Sequence, residues 1–412
     1  MVALIIILLS VFFSVRIVYK QYRQNNGTFI FFVFTSLFFV QILLLADVIN
    51  YNIIYAYNTE DYTRLLNAQN ERMLTNYYLV TNELLLGVSV LVFLINTVVN
   101  ITYNFVRKNK PYKSIEADQF YSDYYYIIAG IIGVVIFVYL YGLDLSRVGV
   151  GYRNDGISNK YLLFLMNLLV ISSISGVLKK IVQKKYLQSV FFALPIVIVG
   201  YLTTARSLVV SVPLIFLYYV LNNKRSSFIR TCIVIVLLSV LSIAVLTSIR
   251  ESSLSSYPIN RDISFYDLYY SFFNVDQLDT QFSNFIRLIT TGLPFFEVDA
   301  YDITEKLADQ RIGFGWGTLH PTFYGWLYID AGWLAIILSS FFGFFLAFCD
   351  NLRDKLPTRV AYLFLPFQLS FIPVLMRGSI QYAYSNIIYI VILCFIIYKY
   401  SLVKNEKNSI YL

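Results

Sequence analysis

Charge is what this chain has least of. Only 14% of its 412 residues are Asp, Glu, Lys or Arg, and a single histidine, His320, joins them. A soluble protein carries roughly a quarter charged residues, so a water-covered globular domain is excluded. Cysteine is as scarce. Cys232, Cys349 and Cys394 all fall in or beside apolar blocks without metal-ligand spacing. One histidine cannot complete a zinc site with them, and they argue against a disulfide framework. Also missing are a P-loop, which argues against an ATP-driven pump, and a pair of loop aspartates, which argues against a metal- and nucleotide-sugar-dependent transferase. No internal repeat or second domain is visible. The two-residue alternation of an outer-membrane barrel is absent from the apolar blocks.

Apolar residues are what the chain has in plenty, at 58% of the total with a mean hydropathy of +0.65. They come in blocks of about 20, the length that spans a hydrocarbon core as a helix. The expected fold is all-α, a polytopic integral membrane protein with about eleven transmembrane helices forming one domain over residues 1–412. The blocks cover 2–19, 28–46, 77–101, 124–142, 160–178, 187–203, 207–221, 229–248, 325–348, 360–376 and 383–402. The start lacks a basic leader and a cleavage site, so it reads as a retained first helix. Lysine and arginine favour cytoplasmic loops. Placing 20–27, 102–123, 179–186, 222–230, 349–359 and the C-terminus inside puts most of the 32 basic and few of the 24 acidic residues there. This sets the N-terminus outside and the C-terminus inside. The net charge of +8 is thereby explained by topology and gives no support for nucleic-acid binding.

Three external segments are long enough to carry function: 47–76, a turn-rich 143–159 with Arg147 and Arg153, and above all 249–324. A structureless loop of that last size would be unusual. Phe282, Phe285, Ile286 and Ile289 have helical spacing with Gly292 as a stop, which predicts a short amphipathic helix along the outer boundary. A second, weaker helix is expected over 298–309.

The candidate chemistry gathers on the same side. His320 lies in Gly313-Phe314-Gly315-Trp316-Gly317-Thr318-Leu319-His320-Pro321-Thr322, where the long loop re-enters an apolar run. A histidine can take a proton near neutral pH, as a general base for a hydroxyl must. It can equally do no more than hydrogen-bond a carbonyl or orient a sugar. Arg206, Arg250 and Arg377 stand at external ends of apolar blocks, against the positive-inside bias, and so call for anionic partners. Their planar forks suit phosphate. Glu83, near the outer end of the third block, is either a partner for an arginine or an acid/base group, and Asp330 carries the same ambiguity. Trp316, Tyr324, Trp326 and Tyr328 read as an interfacial aromatic belt, or as platforms for sugar rings. Gly313, Gly315 and Gly317 sit in no strand–turn–helix unit, so they make no dinucleotide loop and more simply allow close backbone approach.

This layout resembles that of the bacterial Wzy-type oligosaccharide repeat-unit polymerases of O-antigen and capsule. The resemblance rests on Gly313–Gly343, on Thr204-Ala205-Arg206-Ser207 and on the long external loop before the histidine. It implies an inverting, metal-independent glycosyl transfer without a cofactor, at the outer face of the bacterial cytoplasmic membrane. The growing glycan would pass from undecaprenyl pyrophosphate to a new lipid-linked repeat unit, with membrane lipid and a chain-length regulator protein as further partners. Arg206, and less directly Arg250, Arg377, Arg147 and Arg153, would grip the pyrophosphate. His320 would be the base, with Glu83 as the alternative, and Tyr324, Trp316 and Asp330 would hold glycan. A flippase of the same lipid-linked unit and an O-antigen ligase are the competing expectations.

Overall fold

A computed structural model describes residues 2–23, 28–57, 82–107, 115–142, 160–202, 206–223, 285–286, 321–377, 387–388 and 390–400. All secondary structure among the described residues is helical. The helices are α1 (Val2–Arg23), α2 (Phe29–Tyr57), α3 (Asn82–Val106), α4 (Asp123–Tyr141), α5 (Lys160–Val182), α6 (Tyr186–Leu202), α7 (Arg206–Asn223), α8 (Thr322–Ala331), α9 (Ala335–Lys355) and α10 (Thr358–Arg377). A last helical stretch covers Ile390–Tyr400. The expected eighth span, 229–248, lies outside the described residues. So does most of the 249–324 loop.

By length and composition, five helical segments among the described residues can cross a membrane: Val2–Arg23, Glu83–Val106, Asp123–Tyr141, Leu162–Val182 and the run Thr322–Lys355. Four shorter apolar helices accompany them. Their outward faces are apolar, with Phe12 on α1, Phe105 on α3, Tyr139 on α4 and Leu187 on α6 all more than three-quarters exposed. Such faces need an apolar solvent. Helix ends follow local chemistry. Gly142 ends α4 at φ 75, donating its N–H to the Val138 carbonyl, and an extended Leu356 ends α9 just before Pro357.

The helices form two groups. In one, α1, α2 and α3 pack together, with α9 against α3 and α8 against α9. In the other, α4, α5 and α6 pack mutually and α7 joins α5 and α6. Helix α10 bridges them, touching α2 and α8 on one side and α5 and α7 on the other. Glycines bring helices close at several crossings. A side chain on Gly343 of α9 would overlap Thr102 and the Val99 carbonyl of α3, and one on Gly133 of α4 would meet Val170 of α5.

One end of the bundle is tied by buried charge. Asp350 of α9, wholly buried, accepts the Phe29 N–H that begins α2 at 2.8 Å and the Tyr103 hydroxyl of α3 at 2.9 Å, and pairs with Arg353 at 3.0 Å. Arg107 pairs with Asp354 at 2.7 Å. Lys179 and Lys180 of α5 both hold Asp123 at the start of α4. The Tyr362 hydroxyl of α10 donates to Gln119. The helix ends assigned to a common side by their lysines and arginines thus meet through their side chains.

One expectation fails. The apolar run 325–348 reads as a single span, yet it is broken at Gly332.

Candidate functional site: a re-entrant helix

A straight helix from Thr322 to Lys355 would separate Phe323 from Phe342 by about 28 Å. Their rings are 5.0 Å apart. Helix α8 therefore folds back alongside the first turns of α9, through a tight turn over Gly332–Leu334. Gly332 makes the reversal with φ 54 and ψ −136, a conformation essentially restricted to glycine. At the tip, the Trp333 ring lies against Gly87 near the start of α3, and Tyr328 meets Trp333 edge-on at 6.0 Å. The tip is thus at the end of the bundle opposite Asp350. The start of α8 is deep.

A chain of hydrogen bonds records that depth. The Tyr324 hydroxyl donates to Asn96 Oδ1 at 2.9 Å and accepts from Gln41 Nε2 at 3.2 Å. Ser14 donates to Gln41 Oε1 at 3.0 Å, and Asn96 Nδ2 donates to Ser10 at 3.2 Å. All five side chains are fully buried. Asn96 and Gln41 lie near the middles of α3 and α2, so the first turn of α8 is held at mid-bundle. Irregular backbone at such a depth survives only inside protein or against a polar cavity.

The turn that starts α8 is strained and unsatisfied. Thr322 has φ 65, left-handed backbone that a β-branched residue rarely adopts. Its hydroxyl is buried without a hydrogen-bond partner among the described residues. Pro321 occupies the N-cap and makes no side-chain cap. At the far end of α8, Asp330 is buried and its Oδ2 accepts the Phe285 N–H at 2.6 Å. Phe285 also packs edge-on against Phe341. Residues 285–286 are helical, inside the stretch where an amphipathic helix is expected.

The expected site residues divide accordingly. His320, Trp316, Arg147, Arg153 and Arg250 lie outside the described residues, although His320 is two positions before Thr322. Arg206 is the first residue of α7 and Arg377 the last of α10. Tyr218 of α7 stacks on Phe32 near the charged end, and Tyr362 of α10 stacks on Phe120 there. The backbones of Arg206 and Arg377 therefore stand at the opposite end, about 18 and 22 Å along their helices. Glu83 stands at that end too, exposed in the first turn of α3. Tyr324 and Trp326, expected in an interfacial belt, are instead buried inside the bundle, because the fold-back turns α8 inward. Asp330 ties down the chain that precedes α8, the structural side of its ambiguity.

Two features escape sequence reasoning. The Ser10–Ser14–Gln41–Asn96–Tyr324 chain is spread over four helices, each polar residue alone in an apolar block. The Asp350 cluster looks like ordinary loop charge when the span is ended at 348. A carboxylate and a guanidinium at i and i+3 in one apolar helix end was the available signal. No protein-family model, no curated protein and no solved structure matches the chain.

Proposed function

We propose that this chain is a bacterial inner-membrane glycosyltransferase that polymerises oligosaccharide repeat units linked to undecaprenyl pyrophosphate, crossing the membrane about eleven times with the long loop outside. The observation that carries the reading is the re-entrant α8, which brings the chain directly after His320 to mid-bundle as a buried, donor-rich turn. Arg206 and Arg377, the end residues of α7 and α10, and the resemblance described above support it.

In this reaction the acceptor sugar hydroxyl attacks the anomeric carbon of the donor from the face opposite the pyrophosphate. The new C–O bond forms as the bond to the pyrophosphate oxygen breaks, with inversion, and the lipid pyrophosphate leaves as the anion. Arg206, Arg250 and Arg377 offset the charge that develops on it, and stronger binding of that departing anion than of the substrate lowers the barrier. His320 accepts the hydroxyl proton, with Glu83 as the second candidate.

The same broken helix favours one other reading. Discontinuous helices with termini at mid-membrane mark many transporters, so a flippase of the same lipid-linked unit remains the alternative. Deleting the gene in its host separates the two. Single repeat units at the surface are expected of a lost polymerase, units retained inside of a lost flippase, and no surface glycan of a lost ligase. In the complemented strain, Arg206→Ala is expected to abolish chain growth while the protein still inserts. Normal long-chain glycan in that variant refutes the assigned role.

A further inference from the structure

The start of α8 carries more than its position. A helix leaves its first N–H groups without intrahelical acceptors. Here the N-cap is proline, so the amides of Thr322, Phe323 and Tyr324 are the ones in need. Among the described residues, no carbonyl or side chain takes them. A surface helix would give these groups to water, but Pro321 through Leu327 are all buried.

The Thr322 side chain is a separate observation on the same turn. Its hydroxyl is fully enclosed and has no partner among the described residues, whereas the Tyr324 hydroxyl, two residues on, has both a donor and an acceptor. Thr322 is also held at φ 65, a conformation that costs a β-branched residue strain and that clusters at ligand sites. Three amides and one hydroxyl of this turn thus lack acceptors among the described residues, at the positive end of a helix dipole and on a turn locked at mid-bundle by Tyr324, Asn96 and Gln41. Buried donors lacking acceptors are costly. Several donors and a positive dipole together select an anion with many oxygens.

We propose that the first turn of α8, through the Thr322 hydroxyl and the amides of Thr322, Phe323 and Tyr324, binds a phosphate group of a diphosphate. The phosphate chemistry follows from the donors alone; that the diphosphate belongs to a lipid-linked sugar donor rests on the transferase reading. Thr322 is then a ligand-binding residue distinct from the three arginines assigned to the pyrophosphate.

Purified full-length protein in detergent is titrated calorimetrically with inorganic pyrophosphate and, separately, with undecaprenyl diphosphate. Thr322→Val keeps the shape and removes the hydroxyl, and is expected to weaken binding about tenfold, the size of one hydrogen bond to a charged group. Thr322→Ser is expected to restore it. Thr322→Gly removes the hydroxyl and relieves the backbone, so it is expected to melt a few degrees higher while still binding weakly. Greater stability with lost affinity cannot arise from a folding defect. Wild-type affinity in both the valine and glycine variants overturns the site, as does wild-type protein that binds neither probe. Binding of the lipid probe at least tenfold tighter identifies the lipid-linked source, and equal binding identifies the free diphosphate. If wild-type protein binds the probes in a hydroxyl-dependent way yet grows no chains, the transferase reading falls and the site stands.

Discussion

The two helix groups use glycine packing and buried polar contacts in different proportion. In α4, α5 and α6, glycines receive side chains from neighbouring helices: Gly130 faces Pro195, Gly133 faces Val170, and Gly176 faces Phe192. Buried serines there bond mainly within their own helix, Ser172 to the Leu169 carbonyl and Ser173 to that of Val170. In α1, α2, α3, α8 and α9, side chains far apart in sequence bond across helices, at Asp350 and at Tyr324. Close packing of small residues suffices where helices are regular, because each backbone group is already satisfied. Polar side chains are needed where a helix starts or stops inside the protein, since unpartnered groups there are costly. Helix α8 is such a helix, and the polar group holds it.

Breaking that contrast begins at Asp350. Asp350→Ala strands Arg353 and the Phe29 N–H in a dry site, where loss of one partner of a buried pair costs about 3–5 kcal/mol. The purified variant is expected to melt far below wild type, or not to accumulate. Asp123→Ala, whose carboxylate is 37% exposed although Lys179 and Lys180 are nearly buried, is expected to cost less, about 1–3 kcal/mol. Equal losses in thermal melts would mean that burial is not what separates the two clusters.

A smaller effect tests the glycine contacts. Gly343→Ala sets a methyl against the Val99 carbonyl, which cannot yield without moving α3, whereas Gly130→Ala meets the ring of Pro195. Overpacking costs about 1–3 kcal/mol, and the Gly343 variant is expected at the upper end and the Gly130 variant at the lower. The reverse order would place the tighter interface in the other group.

Next comes Tyr324→Phe, which leaves Gln41 Nε2 and Asn96 Oδ1 each short of a partner. A loss of about 1 kcal/mol is expected, the scale of interhelical hydrogen bonds in membranes. Faster amide exchange over residues 322–331 should accompany it. Unchanged exchange would show that Phe323 and Phe342 alone hold the helix.

The smallest change is Ser173→Ala, which removes a bond only to its own helix backbone and is expected to shift stability by less than about 0.5 kcal/mol. A larger loss would mean that the glycine-packed group also depends on buried polarity.

Much of the helix layout was readable beforehand. The expected 124–142, 160–178 and 187–203 correspond closely to Asp123–Tyr141, Lys160–Val182 and Tyr186–Leu202, since each is an unbroken apolar run between polar ends. The fold-back at Gly332 was not readable by the same means. Residues 325–348 remain apolar throughout, and an average over a window cannot register a reversal made by one glycine. Asp330 and Gly332, two positions apart with Ala331 between them, were the local hint. Of the candidate site, the region around His320–Pro321–Thr322 stands out in the sequence for its unique histidine. Thr322 itself carried no mark, because an unsatisfied hydroxyl is a property of its surroundings.

Affinity for hydrocarbon accumulates residue by residue along a chain, so the sequence alone determined that this protein is helical and has the make-up of a membrane protein. Hydrogen-bond partnership does not accumulate in that way. Phe29 and Asp350 meet across 321 positions, and Gln41 and Tyr324 across 283. Only the packed bundle decided that α8 turns back inward, which charges are enclosed at Asp350, and that the Thr322 hydroxyl is buried without an acceptor among the described residues.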